Sequence, residues 1–360
     1  MRIISASVSG VRNLTSDTIE FHPQGNVFFG LNGSGKTSVL EALHLLAMGR
    51  SFRSHSLRPV IHHDAQSCMV TAKVEKAGLV QHMGMERTRS GDSTLRLNGK
   101  NVASLSSLAE LLPLVLLDTE GLELIFGSPD NRRRYLDGTL FHVEHLFLEV
   151  WRRYQRTLKQ RNAGLRRGIM ASDDAWLADL ARAGDALTET RRSLALRLAA
   201  AFKDVAGRLS PSLCNIDLVF KQGWDERVQL IDALVGSVES DHQRGFTQLG
   251  PHRADLRLRL DGRSAADNLS RGQAKLAVAA LRLAQGVVLA ESQGVPPVYL
   301  VDDITAELDE NHAAKVCEIL VSQGGQVFIA AVESGEVARF WPERAFKMFH
   351  VEQGTIKALT

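Results

Sequence analysis

The chain has 360 residues, 43 of them Lys or Arg against 41 Asp or Glu, and 44% are hydrophobic. That length predicts two or three domains with a sizeable core, and that composition excludes fibrous and low-complexity chains. A net charge of +2 leaves any nucleic-acid affinity to local patches, and no apolar run approaches the ~18 residues of a membrane span.

In chain order, residues 1–8 alternate like a strand and lack the apolar h-region of a signal peptide. Residues 26–29 are an apolar strand feeding Gly30-Leu31-Asn32-Gly33-Ser34-Gly35-Lys36-Thr37, which matches the phosphate-loop pattern G-x-x-x-x-G-K-[ST]. From Thr37 to Met48 the apolar residues Val39, Leu40, Leu43, Leu46 and Ala47 recur at helical spacing. Residues 69–74 and 95–97, the latter before an Asn98-Gly99 turn, read as an antiparallel sheet, and residues 113–118 as a buried strand. Composition changes after Gly127-Ser128-Pro129: residues 131–209 are rich in Arg, Leu and Ala with a period near 3.6, the mark of an inserted helical lobe. Strand signals return at 216–220 and the core resumes near Gly250-Pro251-His252-Arg253. A helix follows over 267–290, then strands at 298–303 and 326–332. The expected fold is α/β, a P-loop core plus an antiparallel β subdomain with an inserted helical lobe. The expected division is 1–125, 126–245 and 246–360. Cys68, Cys214 and Cys317 are distant and form no C-x-x-C pair, so they read as reduced thiols of a cytosolic protein.

Chemistry concentrates in three stretches. The glycines Gly30, Gly33 and Gly35, with Asn32 and Ser34 between them, let backbone N–H groups face the β- and γ-phosphates of ATP without Cβ clashes. The following helix adds its positive end. Lys36 is placed to bridge the terminal phosphates and Thr37 to hold Mg²⁺. Asp302 and Asp303 end an apolar strand, where α/β sheets bind ligands. Asp302 would hold Mg²⁺ through water, and Asp303 would orient the attacking water. Leu269-Ser270-Arg271-Gly272-Gln273 is one residue off the LSGGQ signature of ABC-type ATPases, with Ser270 as a helix N-cap. In that superfamily the signature meets ATP held by a second copy, so Ser270, Arg271, Gly272 and Gln273 imply an ATP-dependent homodimer. Glu307 and Asp309 stand at the place of a D-loop.

These stretches, with Val11-Arg12-Asn13-Leu14, Gly49-Arg50-Ser51-Phe52-Arg53, Arg132-Arg133-Arg134-Tyr135-Leu136-Asp137, Leu158-Lys159-Gln160-Arg161-Asn162 and Gly250 to Leu256, span nearly the whole chain. Together they resemble the bacterial RecF family of SMC-like ABC ATPase heads. The resemblance implies a cytoplasmic ATP- and DNA-binding protein that dimerises on ATP. It also implies work with RecO and RecR at gapped or damaged replication intermediates, and places Arg12 close to the nucleotide.

Departures from the wider ABC pattern concern turnover. Asp303 replaces the usual Glu and is one methylene shorter. The strand 326–332 ends without a switch His, and Leu117-Asp118-Thr119-Glu120 holds no Q-loop Gln. They argue against fast turnover, and with the resemblance the expectation is a weak, DNA-dependent ATPase. For DNA, residues 151–168 carry Arg152, Arg153, Arg156, Lys159, Arg161, Arg166 and Arg167 and no acid, with Arg152, Arg156 and Lys159 on one helical face. A phosphate-tracking stripe and a solvated face are both open for it. Arg132, Arg133 and Arg134, His55 and Arg58 are secondary candidates. Against a transporter ATPase subunit stand the 230-odd residues between Lys36 and Ser270. Against a metabolic kinase stands the signature, and against a cohesin-like structural head the short insert. An SMC-like structural clamp with little turnover is the alternative reading.

Overall fold

Apolar alternation and apolar runs sort the chain into two kinds of sheet. The computed structural model describes residues 1–15, 17–54, 56–168, 174–304, 308–333, 335, 339–341 and 345–359. Besides short helical turns, the chain forms β1 (Arg2–Ser9), β2 (Asp17–Glu20), β3 (Gly25–Phe29), α1 (Lys36–Met48), β4 (Ser67–Lys76), β5 (Leu79–Thr88), β6 (Ser93–Leu97), β7 (Lys100–Asn101) and β8 (Leu114–Leu117). There follow α2 (Pro129–Val143), α3 (Phe147–Arg166), α4 (Asp174–Leu209), β9 (Ile216–Lys221), α5 (Leu230–Gly236), α6 (Val238–Arg244), β10 (Asp255–Leu260) and β11 (Arg263–Ser264). The last elements are α7 (Arg271–Gln293), β12 (Val298–Asp302), α8 (Glu310–Gln323), β13 (Val327–Ala331), β14 (Phe346–Glu352) and β15 (Thr355–Ala358).

One compact unit comprises Met1–Gly121, Arg208–Ser210 and Lys275–Thr360. It holds an antiparallel sheet in the order β2-β1-β4-β5-β6-β7 and a second sheet in the order β15-β14-β3-β13-β12-β8. The second is parallel from β14 to β8, and only β15 runs antiparallel. Its central strands read as unbroken apolar runs because both faces are covered, as parallel sheets require. Every residue of β8 and β13 is buried. By contrast β1 alternates on either side of an irregularity between Ile3 and Ser5, which leaves Ile3, Ala6 and Val8 all buried.

Helix α1 touches β12 and β13 of one sheet and β4 and β5 of the other. That position buries it almost all round, including Lys36, Glu41 and His44. A helix enclosed on all sides has no polar face to give it amphipathicity. Helix α7 is long and apolar enough by length and composition to cross a membrane, but 72% of its most apolar window is buried within the protein. Gly286 on α7 leaves room for Tyr299 of β12, whose hydroxyl would lie 1.9 Å from a Cβ there. That hydroxyl donates to Gln323, which satisfies the one polar tip in an otherwise apolar strand.

The other unit comprises Leu122–Gly207 and Pro211–Ala274. This division differs from the expected boundaries of 126–245. Strand β10 reads like any core strand, but it pairs with β9 in the lobe, Leu256 opposite Phe220 and Leu258 opposite Leu218. Main-chain pairing, which composition does not encode, ties residues after 245 to the lobe. The lobe therefore contains a three-stranded sheet, β11-β10-β9, beside its helices. Buried ion pairs stitch it: Arg132 to Asp255 at 2.7 Å, Arg191 to Asp137 at 2.8 Å, and Arg161 to Asp241 at 2.8 Å. Tyr154 donates to Nδ1 of His252 at 2.8 Å, while Nε2 of that ring donates to the Thr247 carbonyl.

Candidate nucleotide site

The loop after β3 takes backbone conformations that only glycine adopts without strain, with φ of 150° at Gly30, 79° at Gly33 and 119° at Gly35. Helix α1 begins at Lys36, so its first N–H groups and positive end face the cleft. Lys36 donates to the carbonyls of Gly30 (2.8 Å) and Leu31 (3.1 Å), which keeps its ammonium against the loop.

Strand register completes the site. Asp302 at the end of β12 lies level with Ala330 of β13, which in turn pairs with Phe28 of β3. The Thr37 hydroxyl consequently reaches Asp302, donating to its carboxylate at 2.9 Å across a sequence separation of 265. Burial pushes the Asp302 carboxyl up to about 6; the Thr37 hydrogen bond opposes this and the charge of Asp303 adds to it. A hydroxyl and a half-buried carboxylate are hard oxygen donors of the kind Mg²⁺ takes, and a cation there would offset the cost of desolvating the charge. Asp303 sits at φ 50° with its N–H on the Ala330 carbonyl (3.2 Å), and it lines the same cleft.

That cleft encloses about 740 Å³ and is lined by Asn32, Gly33, Gly35, Lys36, Thr37 and Asp303 together with Arg12, Asn13, Arg53 and Arg58. Arg12 grips the buried Glu41 with two hydrogen bonds of 2.8 Å and the Pro59 carbonyl with a third of 2.7 Å. Burial would raise the Glu41 carboxyl, but the hydrogen bonds from Arg12 and Ser51 hold it below its ordinary value. Residue type alone does not mark Glu41, Asn13 or Arg53 for this cleft: Asn13 and Arg53 stand within family motifs, whereas Glu41 sits unmarked on an apolar helix. Arg58, offered as a secondary DNA contact, belongs to this cleft wall, and His55 lies outside the described residues.

Ser270 caps α7 as its sequence predicts. Its hydroxyl accepts from the Gln273 N–H (3.2 Å) and the Gln273 amide oxygen accepts from the Ser270 N–H (3.0 Å), a reciprocal capping box. Ser270, Arg271 and Gly272 are exposed. Of the D-loop pair, Glu307 lies outside the described residues, and Asp309 is the N-cap of α8, accepting from the His312 N–H at 3.1 Å.

The basic candidates divide. Arg152, Arg156 and Lys159 are exposed and have no carboxylate partner among the described residues. Arg161 is wholly buried on Asp241, and Arg153 is paired with Asp179. Arg132 and Arg133, expected as secondary DNA contacts, have partners within the fold. Arg132 is spent on Asp255 and the Gly127 carbonyl, and Arg133 on the Ala254 carbonyl, so their cationic heads serve the fold.

The family model described as the RecF/RecN/SMC N terminal domain matches residues 2–357. The chain is 44% identical over 364 residues to the DNA replication and repair protein RecF of Pseudomonas aeruginosa (strain LESB58), covering 100% of this chain and 98% of that one. It is 43% identical over 365 residues to RecF of Stutzerimonas stutzeri (strain A1501), with the same coverage. Among solved structures it resembles the recombination mediator protein RecF with ATP, in the RecFOR pathway, at a TM-score of 0.86 and 25% identity over 99% of this chain and 97% of that one. An Smc head bound to a winged-helix domain of ScpA shares the fold, at a TM-score of 0.58 and 16% identity, covering 100% and 98%. With a phosphate loop, a strand-end carboxylate and a capped signature on an SMC-type head, this chain belongs to the RecF family of DNA replication and repair proteins.

Proposed function

We propose that the chain is an ATP- and DNA-binding protein of recombinational repair, acting in the cytoplasm as an ATP-dependent dimer. Lys36 and the loop amides hold the phosphates, Thr37 and Asp302 hold Mg²⁺, and Ser270, Arg271, Gly272 and Gln273 meet the γ-phosphate of a second copy. The loaded dimer engages gapped DNA or single-strand/double-strand junctions and, with RecO and RecR, helps load a recombinase. The observation that carries this reading is the hydrogen bond from Thr37 to Asp302, which joins loop and strand end into one cation site. ATP in solved RecF relatives, and their place in a RecFOR pathway, support it. Hydrolysis is slow, because the shorter Asp303 stands where a Glu would reach the attacking water. The same residue favours the second reading, a structural DNA clamp with little turnover.

Light scattering tests the dimer. ATP with Mg²⁺ should convert monomer to dimer, and ADP should not. Ser270→Arg puts bulk and charge into the interface, so it should bind ATP and stay monomeric. A dimer in that variant would remove the signature from the interface. A parental chain that stays monomeric with ATP would remove the gating altogether.

A further inference from the structure

The phosphate loop is also held by two segments outside the loop, strand-end and signature motifs. One is the strand-end turn at Asn13, whose side-chain amide donates to the carbonyls of Gly33 (3.3 Å) and Ser34 (3.1 Å). Its own amide oxygen accepts from Ser38 of α1 (3.4 Å). The other is the turn between β14 and β15, where Gln353 and Gly354 have φ of 46° and 82°. The Gly354 N–H donates to the Ser34 carbonyl at 2.8 Å, and its own carbonyl accepts from the Thr15 N–H at 3.0 Å. The fit is tight. A Cβ on Gly354 would stand 1.7 Å from the Asn13 carbonyl oxygen, and one on Gly30 would stand 2.3 Å from the Val351 carbonyl oxygen.

The consequence follows from peptide geometry. In a planar trans unit the C=O and the next N–H point in opposite directions. Two donors, from Asn13 and Gly354, hold the Ser34 carbonyl, so the Gly35 N–H of the same planar unit points away from both of them, and Gly35 lines the cleft. The amide is oriented before any phosphate arrives, which removes an ordering cost from binding.

We infer that Asn13 and Gly354 are positioning residues for the nucleotide phosphates, the carboxy-terminal hairpin being a built part of the ATP site. This rests on the ATP-binding reading above. Both act on the loop and not on the dimer interface, so they separate affinity from gating.

Isothermal titration of the full chain with ATP and with ADP, each with Mg²⁺, tests it. Gly354→Ala should weaken both nucleotides at least roughly tenfold, and Asn13→Ala roughly five- to tenfold. The ATP-to-ADP affinity ratio should not change. Asn13→Ala without nucleotide should stay folded, its melting temperature lowered by no more than roughly a few degrees for the hydrogen bonds lost, and the variant should still dimerise at saturating ATP. Should Gly354→Ala fail to fold, Asn13→Ala decides. Parental affinity in Asn13→Ala overturns the inference, as does a loss of affinity that only tracks a loss of folded protein. A parental chain that binds neither nucleotide would instead overturn the ATP-binding reading itself.

Discussion

Lys36 and Asp303 face one cleft but do different work. Lys36 is buried and held on the carbonyls of Gly30 and Leu31, which keeps its charge at the loop where the proposed phosphates would sit. A hydrogen bond to a charged group is worth ~1.5–3 kcal/mol. Lys36→Ala should therefore weaken ATP roughly ten- to a hundredfold in a titration. Asp303 lies beyond the loop, at the strand end. Asp303→Asn should keep ATP affinity while slowing hydrolysis at least tenfold and prolonging the dimer on DNA. Parental hydrolysis in that variant would exclude Asp303 from water activation. Arg12 shows what residue type alone conceals: it lines the cleft, but two of its nitrogens are bound to Glu41, so it also braces α1 against the opening strand.

Helix α3 sorts its cations by face. Tyr154, Thr157, Leu158, Arg161 and Leu165 are buried, while Arg152, Arg156 and Lys159 point outward. Arg161 can be buried because Asp241 and Thr247 meet it at 2.8 and 2.6 Å; breaking such a pair typically costs ~3–5 kcal/mol. The outward three are the candidates for a DNA-phosphate stripe on this helix. Each phosphate neutralised on duplex DNA contributes about 0.9 to the slope of log K against log salt. Reversing all three to Glu should weaken binding on every DNA sequence and flatten that slope. ATP affinity without DNA should stay parental. Unchanged DNA affinity and slope in the triple variant would leave this face merely solvated.

Stability of the whole molecule carries a pH signature, because each compact unit holds a histidine whose desolvation disfavours its charged form. His44 in the first is held down to about 4 by burial, partly opposed by its bond to the Arg50 carbonyl. His252 in the second is held down to about 4 by burial, opposed by its bond to Thr247. A depressed pKa means the unfolded chain takes up the proton first. The contribution is thus complete above about 6.5 and is lost as pH falls toward about 4. Each histidine accounts for about 3 kcal/mol over that window. Urea denaturation should show stability falling from pH 6.5 to 4, and His44→Gln should make the fall shallower. An equal slope in the variant would show that His44 does not set it.

Local chemistry is legible in local text. The phosphate loop, the helix after it, the Ser270 cap and the apolar strand ending in Asp302 each depend on residues within a few positions, and those features stood in the sequence. The buried parallel strands were legible too, since only cover on both faces permits such runs. What joins distant positions was not. That the loop carbonyls rest on Asn13 and on a hairpin turn some 320 residues away, that Glu41 anchors Arg12, and that β10 pairs with the lobe are matters of register and packing. The arginines make the point most plainly. Arg132, Arg152 and Arg161 look alike in a line of text, and only the tertiary placement of Asp255 and Asp241 decides which are spent on the fold and which face solvent.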